Sequence, residues 1–161
     1  MFVVVCGLPG TGKTTVAGLV ADRLDAPLVR TDVVRREVTP DPEYTPAERR
    51  RVYAAAFERA GNRLDGTGDV VLDGTFDATD LRRRALELAE THGSIFRLVK
   101  VECAPAVVRE RIDDRSGDAS DADAAVYEHF RETFEPVGID HVVVDNSNGL
   151  DRTEARVAEL F

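Results

Sequence analysis

Residues 7–15 read GLPGTGKTT, between an apolar run, Phe2–Cys6, and the helix-forming stretch VAGLVADRL that follows at residues 16–24. Three glycines and a proline within residues 7–12 suit neither a helix interior nor a central strand. The order Gly7, four residues, Gly12, Lys13, Thr14, with a strand before and a helix after, is the pattern of a loop that wraps a phosphate. Glycines let successive backbone N–H groups turn inward, and the helix that opens near Lys13 adds unpaired donors and the positive end of its dipole. The expected nucleotide contacts are Gly7, Leu8, Pro9, Gly10, Thr11, Gly12, Lys13, Thr14 and Thr15. Lys13 is expected to reach the β- and γ-phosphates of a nucleoside triphosphate, ATP, and the Thr14 hydroxyl to ligate Mg²⁺.

Outward from this loop, apolar runs alternate with amphipathic stretches. Strands are predicted at Phe2–Cys6, Pro27–Arg30, Asp69–Asp73, Ile95–Val101 and His141–Asp145. Helices are predicted at about Lys13–Leu24, Asp32–Val38, Pro46–Leu64, Ala78–His92, Pro105–Arg115, Ala122–Phe134 and Arg152–Leu160. TPDPEYTP, residues 39–46, breaks the chain, and Pro46 is placed to open the next helix. The alternation predicts an α/β, three-layer P-loop NTPase fold: a five-stranded parallel sheet with helices on both faces and ligands at the carboxyl ends of its strands. All of residues 1–161 are expected to form one domain.

Composition narrows the partners. The chain has 30 acidic residues against 21 basic ones, a net charge of −9, and only Lys13 and Lys100 as lysines. Excess carboxylate with little lysine resembles proteins adapted to high salt, haloarchaeal ones among them. Such a surface offers no attractive field to a polynucleotide, so a small-molecule partner is favoured over nucleic acid. The longest apolar run, Phe2–Cys6, is far below the roughly 20 residues of a membrane span. A cytoplasmic monomer or weak dimer without a membrane partner is expected. Cys6 and Cys103 have no partner at metal-ligand spacing and read as reduced core thiols.

Polar residues just past strand ends face the phosphate loop in such a sheet. In VLDGTF, Asp73 is the first charge after a buried run, where an acid meets the Mg²⁺ of a phosphate-loop enzyme; Thr75 and Phe76 follow it next to the site. In RTDVVRREV, Asp32 ends the second strand. Taken alone it reads as a helix N-cap; beside a phosphate loop it sits where an acceptor hydroxyl attacks, and its carboxylate can take the proton. Arg35 shares its helix face and can orient it or hold an anionic group. In RERIDDRSGDASDAD, Arg111 and Arg115 lie four apart before a polar break, which predicts a small helical lid at about 111–122 that brings Arg115 over the triphosphate and makes Arg111 a further nucleotide contact. Arg49–Arg51 and Arg82–Arg84 read as solvated helix faces, and no role is expected for the three histidines.

Together GLPGTGKTT, RTDVVRRE, VVLDGTF and CAPAVVRERIDDR…SDAD resemble the small P-loop kinases related to the kinase domain of bacteriophage polynucleotide kinase, zeta toxin and gluconate kinase, often described only as AAA-type ATPases. The resemblance runs from Met1 to about Asp145. It implies Asp32 as general base, Arg35 as the arginine that holds a substrate phosphate, and Arg115 as the lid arginine. It leaves the acceptor open among nucleic-acid 5′-hydroxyls, sugars and antibiotics. The expected activity is transfer of the γ-phosphate of ATP to a hydroxyl, the catalytic set being Asp32, Lys13, Arg115 and Arg35. Two other readings compete: an ATPase or nucleotide switch without an acceptor, and a binding module without chemistry. VDNSNG, residues 144–149, does not supply a guanine-reading motif.

Overall fold

The computed structural model describes residues 1–113 and 124–161. Five strands, β1 (Phe2–Gly7), β2 (Leu28–Arg30), β3 (Val70–Asp73), β4 (Phe96–Glu102) and β5 (Val142–Asp145), alternate with seven helices: α1 (Lys13–Leu24), α2 (Thr31–Val38), α3 (Pro46–Thr67), α4 (Thr79–Thr91), α5 (Pro105–Asp113), α6 (Ala124–Thr133) and α7 (Leu150–Leu160). The strands form one parallel sheet in the order β2-β3-β1-β4-β5. The predicted α/β fold class is therefore observed, and the element ends that fall among the described residues lie within three residues of expectation.

The sheet is parallel because every crossover carries a helix, and a parallel sheet must be covered on both faces. That is why β1 is apolar throughout, with all six residues buried. Alternate side chains go to opposite layers. Phe2, Val4 and Cys6 join the cluster of Val52, Phe57, Ala60, Ala85 and Ala89 beneath α3 and α4. Val3 and Val5 join Val16, Val20 and Val157 beneath α1 and α7. Each fully buried valine contributes about 1.5–3 kcal/mol over an exposed one, so this central strand anchors both layers.

The caps follow local chemistry. Thr45 accepts from the Glu48 N–H at 3.2 Å while Glu48 reaches back to the Thr45 N–H at 3.3 Å, with Pro46 in the first turn, as its place in the sequence predicted. α2 begins differently. Arg30 is its N-cap and makes no side-chain cap hydrogen bond, so Asp32 lies inside the first turn and is not the cap. Among the described residues, no helix is long and apolar enough to cross a membrane.

Candidate active site

The loop from β1 to α1 emerges at the centre of the sheet. Gly12 precedes α1 with φ +85°, a left-handed conformation that glycine adopts without strain. Gly10 packs beneath α5, where an added methyl would press on Val108. The loop is braced from within: the Thr11 hydroxyl and the Lys13 ammonium each donate to the Leu8 carbonyl at 2.8 Å. Lys13 and Thr14 occupy the first turn of α1, whose N–H groups and dipole favour an anion.

Asp73, at the carboxyl end of β3, is buried and accepts a hydrogen bond from the Thr14 hydroxyl at 2.7 Å. Its other oxygen, Oδ1, is buried without a partner. Burial pushes this carboxyl above its usual range, and the charge of Asp32 adds to the rise; Lys13 and the Thr14 hydrogen bond oppose it. Two hard oxygen donors, one of them unsatisfied, suit Mg²⁺, so Thr14 and Asp73 fit the predicted ion.

β2 ends beside β3, with Arg30 opposite Asp73 in the register. That pairing brings the start of α2 to the phosphate loop. One cavity of about 470 Å³ is lined by Gly12, Lys13, Thr14 and Thr15 of the loop, by Asp73, and by Arg30, Asp32, Arg35 and Arg36. Arg35 lies over the Tyr44 ring, 5.3 Å from its centroid. Thr39, Pro40, Pro42 and Tyr44 form a wall, and Val126 and Phe130 of α6 form another. The proline-rich stretch read only as a break is thus part of the cavity, and so is α6. Neither carries a motif; only strand order and the chain's return would have pointed to them.

Arg111 lies on the other side of the loop. It donates to the Asn146 carbonyl at 2.8 Å and, more loosely, to the Thr11 carbonyl and the Cys103 sulfur, each at 3.5 Å. Cys103 is therefore half-buried beside the phosphate loop and not a core thiol, because it follows the end of β4 where the loops converge. Cys6 is in the core, and burial raises its thiol to about 11. Arg115 and most of the expected lid lie outside the described residues.

Two further expectations are corrected. Phe76 is fully buried and packs edge-on against Tyr53 at 5.1 Å, so the site meets Thr75 instead. Arg82 is not on a solvated face: it is 1% exposed and donates to Phe76 O, Asp77 O, Thr79 Oγ1, Glu135 O and Pro136 O at 2.6–3.1 Å. An arginine triplet on a helix cannot reveal which member turns inward toward carbonyls 53 and 54 residues away. Arg83 is exposed as expected and pairs with Asp80 at 2.7 Å.

A parallel sheet with the phosphate-loop strand at its centre, and a threonine–aspartate pair from α1 and β3 at its mouth, is the fold of the P-loop kinases. The chain belongs to the AAA_33 family, whose model, described as an AAA domain, matches residues 2–137. Uncharacterized proteins of Mycobacterium bovis and Mycobacterium tuberculosis are 36% identical over 76% of the chain, which spans 27% of their length. Among solved structures, a gluconokinase from Sinorhizobium meliloti superposes with a TM-score of 0.72 at 23% identity, covering 99% of this chain and 91% of that one. A sugar kinase from Janibacter sp. superposes at 0.76 and 20% identity, covering 98% and 92%. The APS kinase of Mycobacterium tuberculosis, in complex with AMPPNP and APS, superposes at 0.72 and 20% identity, covering 99% and 95%. At these identities the structures establish a shared fold.

Proposed function

We propose that residues 1–161 form one ATP-dependent kinase domain that transfers the γ-phosphate to a hydroxyl of a small molecule, with Asp32 as the general base. One observation carries this reading. Among the described residues, four buried side-chain polar atoms lack a hydrogen-bond partner, and three of them, Arg30 Nε, Thr39 Oγ1 and Asp73 Oδ1, belong to residues that line the cavity beside the phosphate loop, Arg30 Nε having only a long ion pair to Asp73 at 3.9 Å. Buried groups without a hydrogen bond cost about 1–3 kcal/mol each, and their gathering on residues that line one cavity supports a polar occupant there.

In this reading the loop N–H groups and Lys13 hold the triphosphate, and Thr14 and Asp73 hold Mg²⁺. When bound, the ion neutralises charge on the phosphate oxygens. The acceptor lies between Asp32 and the Tyr44 and Phe130 walls, with Arg35 beside it for an anionic group. Asp32 takes the hydroxyl proton as the new P–O bond forms and the bond to ADP breaks. Arg115 and Arg111 are the candidates for charge on the transferring group and the nucleotide. The acidic surface favours a small acceptor over a polynucleotide.

A screen of alcohols with γ-labelled ATP identifies the acceptor, and Asp32→Asn then tests the base. The substitution keeps size and polarity, and α2 does not use Asp32 as its cap. The expected loss is about 10²- to 10⁴-fold in transfer rate with ATP binding preserved. A variant within about threefold of wild type removes the base role. ATP hydrolysis that no acceptor accelerates favours the switch reading.

A further inference from the structure

The loop after β5 carries no motif, yet one of its side chains reaches the phosphate loop. Asn146 is 5% exposed. Its amide nitrogen donates to the Thr11 carbonyl at 2.8 Å, and its amide oxygen accepts from the Thr153 hydroxyl of α7 at 2.8 Å. Its backbone is held too: the N–H donates to Glu102 O at 2.8 Å, and the carbonyl accepts from Arg111 at 2.8 Å. The amide has one orientation available, since a carbonyl at Thr11 can only accept. The fit at Gly12 is close, and a methyl group there would overlap the Asn146 amide.

We infer that Asn146 is a positioning residue for nucleotide binding: by holding the Thr11 carbonyl outward it fixes the Gly12 N–H toward the phosphate. This inference rests on the nucleotide reading above. In a trans peptide C=O and N–H point in opposite directions, so a carbonyl pinned on the outer side of the loop directs the following N–H to the inner side. Glycine cannot do the pinning, because a rotation of the Thr11–Gly12 peptide changes φ at Gly12, where either sign is tolerated. A rotated peptide would replace an inward donor with an inward carbonyl dipole, which repels phosphate. Asn146 prevents that rotation, Arg111 assists at 3.5 Å, and the Thr153 hydroxyl keeps the Asn146 amide from turning.

Asn146→Asp retains the acceptor for Thr153 but sets an oxygen against the Thr11 carbonyl, and because it also adds a charge near the phosphate loop the uncharged Thr153→Val is its control. Thr153→Val removes the hydroxyl that orients the amide, and Thr153→Ser keeps it. Binding of AMPPNP and of inorganic tripolyphosphate, each with magnesium, is measured by calorimetry on the full chain, together with thermal unfolding. Asn146→Asp and Thr153→Val are expected to weaken both probes about 10- to 100-fold, the range set by one hydrogen bond to a charged group. Thr153→Ser is expected to stay within about twofold. In turnover, KM for ATP rises while KM for the acceptor does not.

Unchanged affinity in a folded Asn146→Asp overturns the inference. So does a loss seen with AMPPNP and not with tripolyphosphate, which would put Asn146 at the base instead. Should Asn146→Asp fail to fold, equal binding by the Thr153→Val and Thr153→Ser pair overturns it just as directly. A wild-type chain that binds neither probe overturns the nucleotide reading itself, a result distinct from wild-type binding with unaffected variants.

Discussion

Replacing Arg82 with methionine tests how much of the fold rests on one buried guanidinium. Its five acceptors are four carbonyls and a hydroxyl, all neutral, and the Phe134 ring lies 5.4 Å from its guanidinium carbon. Exchanging a buried ion pair for apolar groups is often harmless because both charges leave together. Here only the donor can leave, since the carbonyls belong to the backbone. Phe76 O, buried at 2.6 Å from Arg82, loses a close donor, which costs about 1–3 kcal/mol. Asp77 O keeps the Glu135 N–H at 3.0 Å. The three part-buried bonds to Thr79, Glu135 and Pro136 contribute about 0.5–1 kcal/mol each. The total is about 2.5–6 kcal/mol, equivalent to about 5–24 °C in Tm for a chain of this length. Arg82→Lys should recover less than half, because one ammonium cannot span both the turn at 76–77 and the segment at 135–136. Urea unfolding followed by circular dichroism measures it. An Arg82→Met variant within about 1 kcal/mol of wild type would show instead that water or a local shift satisfies those carbonyls and that the guanidinium is dispensable.

Lys13→Ala should leave the unfolding midpoint near that of wild type while lowering AMPPNP affinity at least about tenfold, since a half-buried ammonium in the phosphate loop adds charge and little packing; undiminished affinity would remove Lys13 from the proposed site. Alkaline pH should destabilise the chain in a defined window. Burial raises the Cys6 thiol from 9.0 to about 11 and the Tyr53 hydroxyl from 10.0 to about 12. Both groups are raised in the folded state, so their contribution is complete below pH 9 and is lost as pH climbs through these values. For Cys6 the difference corresponds to about 2–3 kcal/mol by pH 11. Cys6→Ala should therefore show a shallower decline of the urea midpoint between pH 9 and 11, and an unchanged slope would count against burial as the cause.

The parts of the molecule legible in the sequence are those whose cause is local. GLPGTGKTT states its own conformation, TPAE states a helix start, and VVLD states a buried strand ending in a charge. Asp32 and Asp73 could be singled out because strand ends in a parallel sheet share one rim. Asn146 follows β5 on that same rim, and the rule that found the other two would have found it. Arg82 was hidden for a different reason. Its partners at Glu135 and Pro136 are set by how the segment after α6 returns to the start of α4, and a helical pattern of charges holds no record of that. Cys103 departs from its expectation because an apolar neighbourhood in sequence does not mean burial in space once the strand has ended at Glu102. The cavity walls at Tyr44 and Phe130 depend on two segments folding back over α2 and the loop, which periodicity does not encode.

The order of the strands also bears on where this domain can be cut. The family match ends at residue 137, before β5, and β5 pairs with Val99, Lys100, Val101 and Glu102 of β4. A fragment ended at that boundary would still hold Lys13, Asp32 and Asp73, and would look complete by its motifs. It would expose one side of β4 as a row of unpaired N–H and C=O groups, and it would uncover the apolar layer that Val144 and Val157 close. A bare strand edge beside an open apolar face is a template for pairing with another chain. Self-association of such a fragment would therefore report a truncated sheet and would say nothing about how the intact protein assembles.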